Sequence, residues 1–286
     1  KVLDEVKTIL FLQFPKFNFS KVNNVFRDIV KLFRGEYPGY RRCNTEYHDL
    51  QHTTDSLLAI TRLIHGAVIA GEKLSENNIE FGLITTLMHD TGYIQSVKDD
   101  AGTGAKYTLV HIKRSTEFMD MYFEKNKFSR IDFKNCSDML NCTGLNTMIN
   151  EIQFASPEIA LLGKMLGAAD LLGQMADRAY LEKLLFLFYE FREGNIAGYQ
   201  SEIELLKKTL NFYEITKKRL LKELDGVTKY LPFHFNARWK INKDLYEEAT
   251  LRNINYLKHI LENHQEDHRN LLRRGGIVDR LEKKGL

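Results

Sequence analysis

Three short segments carry side chains able to do chemistry together. In Tyr47-His48-Asp49-Leu50-Gln51-His52, two imidazoles stand four residues apart. On a helix that spacing places them on one face, one turn apart, where they can share a metal ion or divide labour, one binding and one moving protons. In Leu83-Ile84-Thr85-Thr86-Leu87-Met88-His89-Asp90-Thr91-Gly92, a strongly apolar helical stretch ends abruptly in His-Asp. An unpaired carboxylate buried at the end of such a stretch is costly. A divalent cation removes the cost, with His89 supplying a neutral nitrogen. In Ala160–Leu172, Asp170 is the only acid among small and large apolar residues, and Gln174 and Asp177 follow it at i+4 and i+7. It calls either for an ion pair, to Arg178 or to another helix, or for a metal.

Taken in the order H…HD…D, these segments supply two imidazoles and two carboxylates. That mixed nitrogen and oxygen set suits Zn, Fe, Mn or Mg. Further along, Gly102-Thr103-Gly104 reads as a small anion nest or a flexible lid, and His111 follows it. His111 is either a second-site or phosphate ligand or a helix-surface histidine near an N-terminal turn.

The pattern resembles the HD-domain metal-dependent phosphohydrolases, closest to the branch that includes cyclic-nucleotide phosphodiesterases. Tyr47-His48…His52 is similar to that branch's Tyr-His-Asn…His motif, and His89-Asp90 to the pair that names the superfamily. Asn141-Cys142-Thr143 loosely resembles an Ala-Thr-Asp segment. Ala169-Asp170-Leu171 resembles a Cys-Ala-Asp-Leu segment, and Tyr189-Glu190-Phe191…Gly194 the Glu-Phe…Gly-Asp stretch that follows it. The resemblance spans roughly residues 45–195. It implies His52, His89, Asp90 and Asp170 as ligands of one or two divalent ions, and His48 as the general acid that protonates the leaving oxygen. It also places His111 and Thr143 near the second ion or the phosphate; Gln174, four residues beyond Asp170, joins them as a candidate to support a ligand or bind the phosphate. Thr91-Gly92-Tyr93 stands where that branch has a second His-Pro-Gly, and Asp49 replaces its Asn. The implied function is hydrolysis of a nucleotide-like phosphodiester by a metal-activated hydroxide. A phosphomonoesterase or nucleotidase on the same site, and a non-catalytic regulatory HD module, are the alternatives.

The elements that must position these residues are helical. Only four prolines occur in 286 residues, and the apolar spacing runs in steps of three and four, as at Leu57, Leu58, Ile60, Leu63 and Ile64. No sustained alternation of period two is found. The fold class expected is all-α, with helices over about 20–34, 47–70, 76–90, 108–125, 130–142, 156–192, 198–224 and 243–272. Ser156-Pro157-Glu158 is a start signal for one of them. Glu193-Gly194-Asn195 is the expected joint between an HD-type domain over 15–195 and a helical C-terminal extension over 196–286 that packs on it or mediates homodimerisation.

Composition sets the remaining bounds. Apolar residues are 43%, aromatics 11% and charged residues 28%, the profile of a chain with a sizeable core. The net charge of +3 is too balanced for an electrostatic nucleic-acid or membrane binder; a small-molecule phosphoester is the partner that the resemblance implies. Three cysteines (Cys43, Cys136, Cys142) with no CxxC pair point to a reducing, cytoplasmic compartment and away from a structural Cys-based zinc site.

Overall fold

The computed structural model describes residues 1–283 and Gly285. Among them are thirteen α-helices: α1 (Val2–Phe11), α2 (Ser20–Arg34), α3 (Leu50–Ile69), α4 (Glu76–Met88), α5 (His111–Lys125), α6 (Arg130–Asn141), α7 (Pro157–Met175), α8 (Tyr180–Glu193), α9 (Glu202–Lys218), α10 (Leu231–Trp239), α11 (Leu245–Asn263), α12 (His268–Leu271) and α13 (Ile277–Lys283). No β-structure is present among the described residues beyond a lone antiparallel bridge between Tyr40 and Ser96. The fold is all-α.

α3 is the central helix. It is buried on nearly every side, from His52 through Leu57, Ile60 and Ile64 to Ala67, as a helix must be when other helices surround it. α7 is its most extensive neighbour, and α1, α4 and α10 also pack on it. The α3–α7 approach is close because Gly173 has no side chain: a Cβ there would lie 3.1 Å from the backbone nitrogen of Ser56. Ser156 caps α7 by accepting from the Ile159 N–H, with Pro157 at its first position, as its sequence requires.

Several expected boundaries move. The run expected over 156–192 is two helices, α7 and α8, which meet at 104°. Asp177 makes the break: its Oδ1 accepts the Ala179 N–H at 2.9 Å and its other oxygen pairs with Lys183 at 2.5 Å. The helix expected from residue 47 starts at Leu50, because Asp49 takes the N-cap and accepts the His52 N–H at 2.8 Å. The helix expected over 198–224 leaves α-geometry at Arg219 and finishes in a π turn, Arg219–Glu223. The helices α1, α10 and α13 have no counterpart among the expected ones.

α8 ends at Glu193, next to the expected joint. Packing crosses that joint, however. One apolar core gathers side chains from Val6 to Tyr246, including Leu57, Leu166, Val227 and Phe235. A second gathers Tyr47 and Met175 with residues of α8, α9, α11 and α13. Of the extension 196–286, Lys284 and Leu286 lie outside the described residues. Among those described, no single helix is long and apolar enough to cross a membrane, and the three cysteines are free thiols.

Candidate metal centre

Each cluster residue is delivered by a helix end or a close helix contact. His52 sits in the first turn of α3 under the Asp49 cap. α4 ends at Met88 because Thr91 and His89 turn back on it: the Thr91 hydroxyl donates to the Met88 carbonyl at 2.8 Å and His89 Nδ1 donates to the Thr86 carbonyl at 2.7 Å. The Ser115 hydroxyl of α5 fixes the turn from outside, donating to the His89 carbonyl at 2.6 Å and accepting from the Gly92 N–H at 2.9 Å. Gly92 is required here, since a Cβ would fall 2.0 Å from the His111 carbonyl oxygen. Asp170 comes from the middle of α7.

The four side chains converge. His52 Nε2 and His89 Nε2 are 3.2 Å apart. Asp90 Oδ2 lies 3.2 Å from the former and 3.4 Å from the latter, and Asp170 Oδ1 lies 3.1 Å and 3.6 Å from them. Because His89 Nδ1 donates to a carbonyl, Nε2 is the ring nitrogen that faces the cluster. His52, His89 and Asp90 are buried, and Asp170, 14% exposed at its side chain, is the cluster's route to solvent.

The electrostatics demand positive charge at this point. Burial works against a charged His52, but the carboxylates of Asp170 and Asp90 against its ring outweigh burial and raise it to about 10. His89 is raised in the same sense, chiefly by Asp90. Burial likewise opposes ionisation of Asp90 and Asp170, yet the two imidazoles hold both carboxyls below their usual range. Two imidazolium protons would balance the two carboxylates only by bringing like charges together across the 3.2 Å between the Nε2 atoms. One divalent ion supplies the same charge at one place. The N···N and N···O separations of 3.1–3.6 Å are those between neighbouring ligands on bonds of about 2.1 Å. Asp90 Oδ2 has no partner aligned for a hydrogen bond. His52, His89 and Asp170 each offer a ligand atom within 4.8 Å of the others. The donor set fits a metal.

Around the cluster stands a ring of supporting contacts. Gln174 Nε2 donates to Asp170 Oδ1 at 2.9 Å, and its Oε1 accepts the Tyr47 hydroxyl at 2.8 Å. Gln174 thus stands behind Asp170 and orients its carboxylate. His48 lies before the helix, not on its face, yet its ring is 6.3 Å from that of His52 between centroids. Its Nδ1 donates to Glu190 Oε2 at 2.9 Å, and its Nε2 is 3.4 Å from the Tyr93 hydroxyl. The Tyr93 ring is nearly parallel to His48 on one side, at 4.2 Å and 12°, and to His111 at 4.7 Å and 20°. His111 donates through Nδ1 to the Thr108 carbonyl at 2.7 Å, and burial lowers its pKa, so a neutral Nε2 remains on this wall.

Other sequence candidates bond to partners outside the cluster. The Thr143 hydroxyl donates to the Leu140 carbonyl at the end of α6. Asp177 serves the α7–α8 break rather than a stripe with Asp170. The backbone and hydroxyl of Thr103 bind the Glu193 carboxylate, so the expected nest is filled by an acid of the chain itself. Glu190 and Tyr93 were not singled out as site residues from the sequence. Glu190 lies in the Tyr189-Glu190-Phe191 segment of the resemblance, but no local spacing ties either residue to His48.

Among known proteins, a family model described as Npun_R2479-like matches residues 98–249, just over half of the chain. No curated protein and no solved structure matches.

Proposed function

We propose that the chain, which belongs to the Npun_R2479-like family, is a metal-dependent phosphohydrolase of HD type acting on a small, nucleotide-like phosphodiester. The observation that carries this reading is the meeting of His52, His89, Asp90 and Asp170, from three helices, with two orienting groups already in place: the Thr86 carbonyl on His89 and Gln174 on Asp170. Ligands held in this way are characteristic of metal sites. When bound, a divalent ion there supplies Lewis acidity toward a phosphoryl oxygen and lowers the pKa of water.

The remaining chemistry belongs to the chain. His48 is the general acid: Glu190 accepts its Nδ1–H at 2.9 Å and fixes the ring beside the cluster, 6.3 Å from that of His52 between centroids. A positioned acid of this type is worth about 10²–10⁴ in rate. Tyr93 stacks on His48 and closes the wall. The three free thiols support a reducing, cytoplasmic setting.

The test is elemental analysis of protein purified without chelator, together with hydrolysis of bis(p-nitrophenyl) phosphate and p-nitrophenyl phosphate. Asp90→Ala is expected to lose metal and activity together, and His48→Ala to keep metal and lose rate. Preference for the monoester moves the substrate class to phosphomonoesters. Variants that cleave like wild type overturn the assignment.

A further inference from the structure

On the reverse of α7 from the metal cluster lies a cleft of about 390 Å³ walled by α7, α9, the π turn and α11. Asp170 and Gln174 lie on one side of α7, whereas Leu171, Leu172 and Met175, rotated away by the helical repeat, form the cleft's inner wall with Tyr213 and Leu220. The volume is that of a small-molecule site. Its inner wall is apolar, whereas its rim carries charged side chains.

Two observations point to an occupant with hydrogen-bonding capacity. Thr216 and Thr250 both line the cleft, both are buried at 3% and 6% exposure, and neither hydroxyl has a partner. Buried hydroxyls are ordinarily satisfied, and a helical threonine often returns its proton to the carbonyl four residues back, as Thr209 does; Thr216 and Thr250 do not. The π turn is the second departure from regular structure here. Its Leu224 N–H reaches back to the Arg219 carbonyl at 2.9 Å, and such turns recur at functional sites. The rim carries Lys217 and Lys229 against Asp244 and Glu247, two charges of each sign, so it gives no net attraction to an ion. The matched family span 98–249 contains every lining residue except Thr250, but only Asp170 of the four cluster residues.

We infer that this cleft is a binding site for a neutral amphipathic molecule, an apolar body bearing a hydroxyl or amide that meets Thr216 and Thr250. The inference is independent of the metal chemistry.

The experiment is titration of the full chain with the neutral fluorophore N-phenyl-1-naphthylamine, followed by displacement. We expect saturable binding at one equivalent, displaced by 1-dodecanol and at least tenfold less well by dodecanoate at pH 8. Leu220→Trp, a half-buried wall position, should weaken fluorophore binding tenfold or more. The isosteric pair Thr216→Val with Thr250→Val should weaken dodecanol severalfold while the fluorophore still binds, which shows that the variant is folded. Stronger displacement by dodecanoate overturns the neutral class. Binding at several equivalents that Leu220→Trp leaves unchanged, or no saturable binding, overturns the site.

Discussion

His48 Nδ1 stands 2.9 Å from Glu190 Oε2, and the other oxygen of that carboxylate takes the backbone N–H groups of Glu46 and Tyr47, each at 2.8 Å. One side chain of α8 therefore fixes both the ring and the stretch of backbone that carries it. Glu190→Gln keeps an acceptor for one partner but replaces the other carboxylate oxygen with an amide that cannot accept, so the ring and the backbone of residues 46 and 47 are no longer both held. We expect kcat to fall about 10–100-fold with bound metal unchanged, and Glu190→Ala to fall further because residues 46–48 are released. Turnover and metal per chain, measured on the same samples, check this; a proportional loss of both would assign Glu190 to metal retention instead.

Gln174 links Tyr47 to Asp170. Replacing it with Leu leaves a buried carboxylate oxygen and a buried phenol without their partner. Loss of such a supporting contact weakens metal binding by about 10–100-fold, and Tyr47→Phe should cost less, since Gln174 still reaches Asp170. Competition against a chromophoric chelator reads both affinities, and unchanged values would reduce Gln174 to packing.

In the proposed metal centre, protons and a divalent ion would compete for one place. His52 is raised to about 10 and His89 is raised as well, so at pH 7 the metal-free cluster holds protons that a divalent ion must displace. Metal affinity is expected to climb with pH until about 10. For the metal-free chain, the raised imidazoles contribute stability that is full below the unfolded value of about 6.5 and fades as pH rises through the folded one. The depressed carboxyls of Asp90 and Asp170 contribute above about 3.9 and fade as pH falls. Calorimetry at pH 7 in two buffers of different ionisation heat should report release of about one to two protons per metal. Zero release would mean that the imidazoles are neutral before the ion arrives.

Legibility followed locality. His89-Asp90 and Asp170 stand out in the sequence because a carboxylate inside an apolar helical run is anomalous within a few residues of itself. The α7 cap at Ser156 is equally local. Glu190 acts on His48 across 142 positions and Tyr93 across 45, and no periodicity carries that information. The Asp49 cap was readable, since Asp is a strong N-cap residue. Helical spacing between the two histidines reads through it and places His48 one turn below His52, whereas its ring approaches from outside the helix. The α7–α8 break hides for a related reason: Met175-Ala176-Asp177-Arg178-Ala179 contains neither glycine nor proline, and the apolar period resumes beyond it.

A second histidine pair, remote from the cluster, sets a limit on acid stability. His65 of α3 and His234 of α10 are buried with their Nδ1 atoms 3.1 Å apart. Burial, then Arg238, lowers His65 to about 4; burial, His65, Arg62 and Arg238 lower His234 to about 3. Of the two arginines, Arg238 is paired with Glu5 of α1, and Arg62 bonds the Tyr246 hydroxyl. Both histidines are thus neutral in the fold, and their contribution is whole above the unfolded value of about 6.5 and lost as pH drops toward 4 and 3. The slope in that window is at most about 1.4 kcal/mol per pH unit for each histidine. Asp55 and Asp244, raised to about 6, titrate in the opposite sense, so a variant is needed to isolate the pair. His234→Phe should flatten the acid slope of unfolding free energy between pH 6.5 and 4 relative to wild type. Trp239, the only tryptophan, lies 5.6 Å from the His234 ring and reports the transition by fluorescence. Identical slopes in the two proteins would mean that α10 stays docked on α3 whatever the charge on the pair.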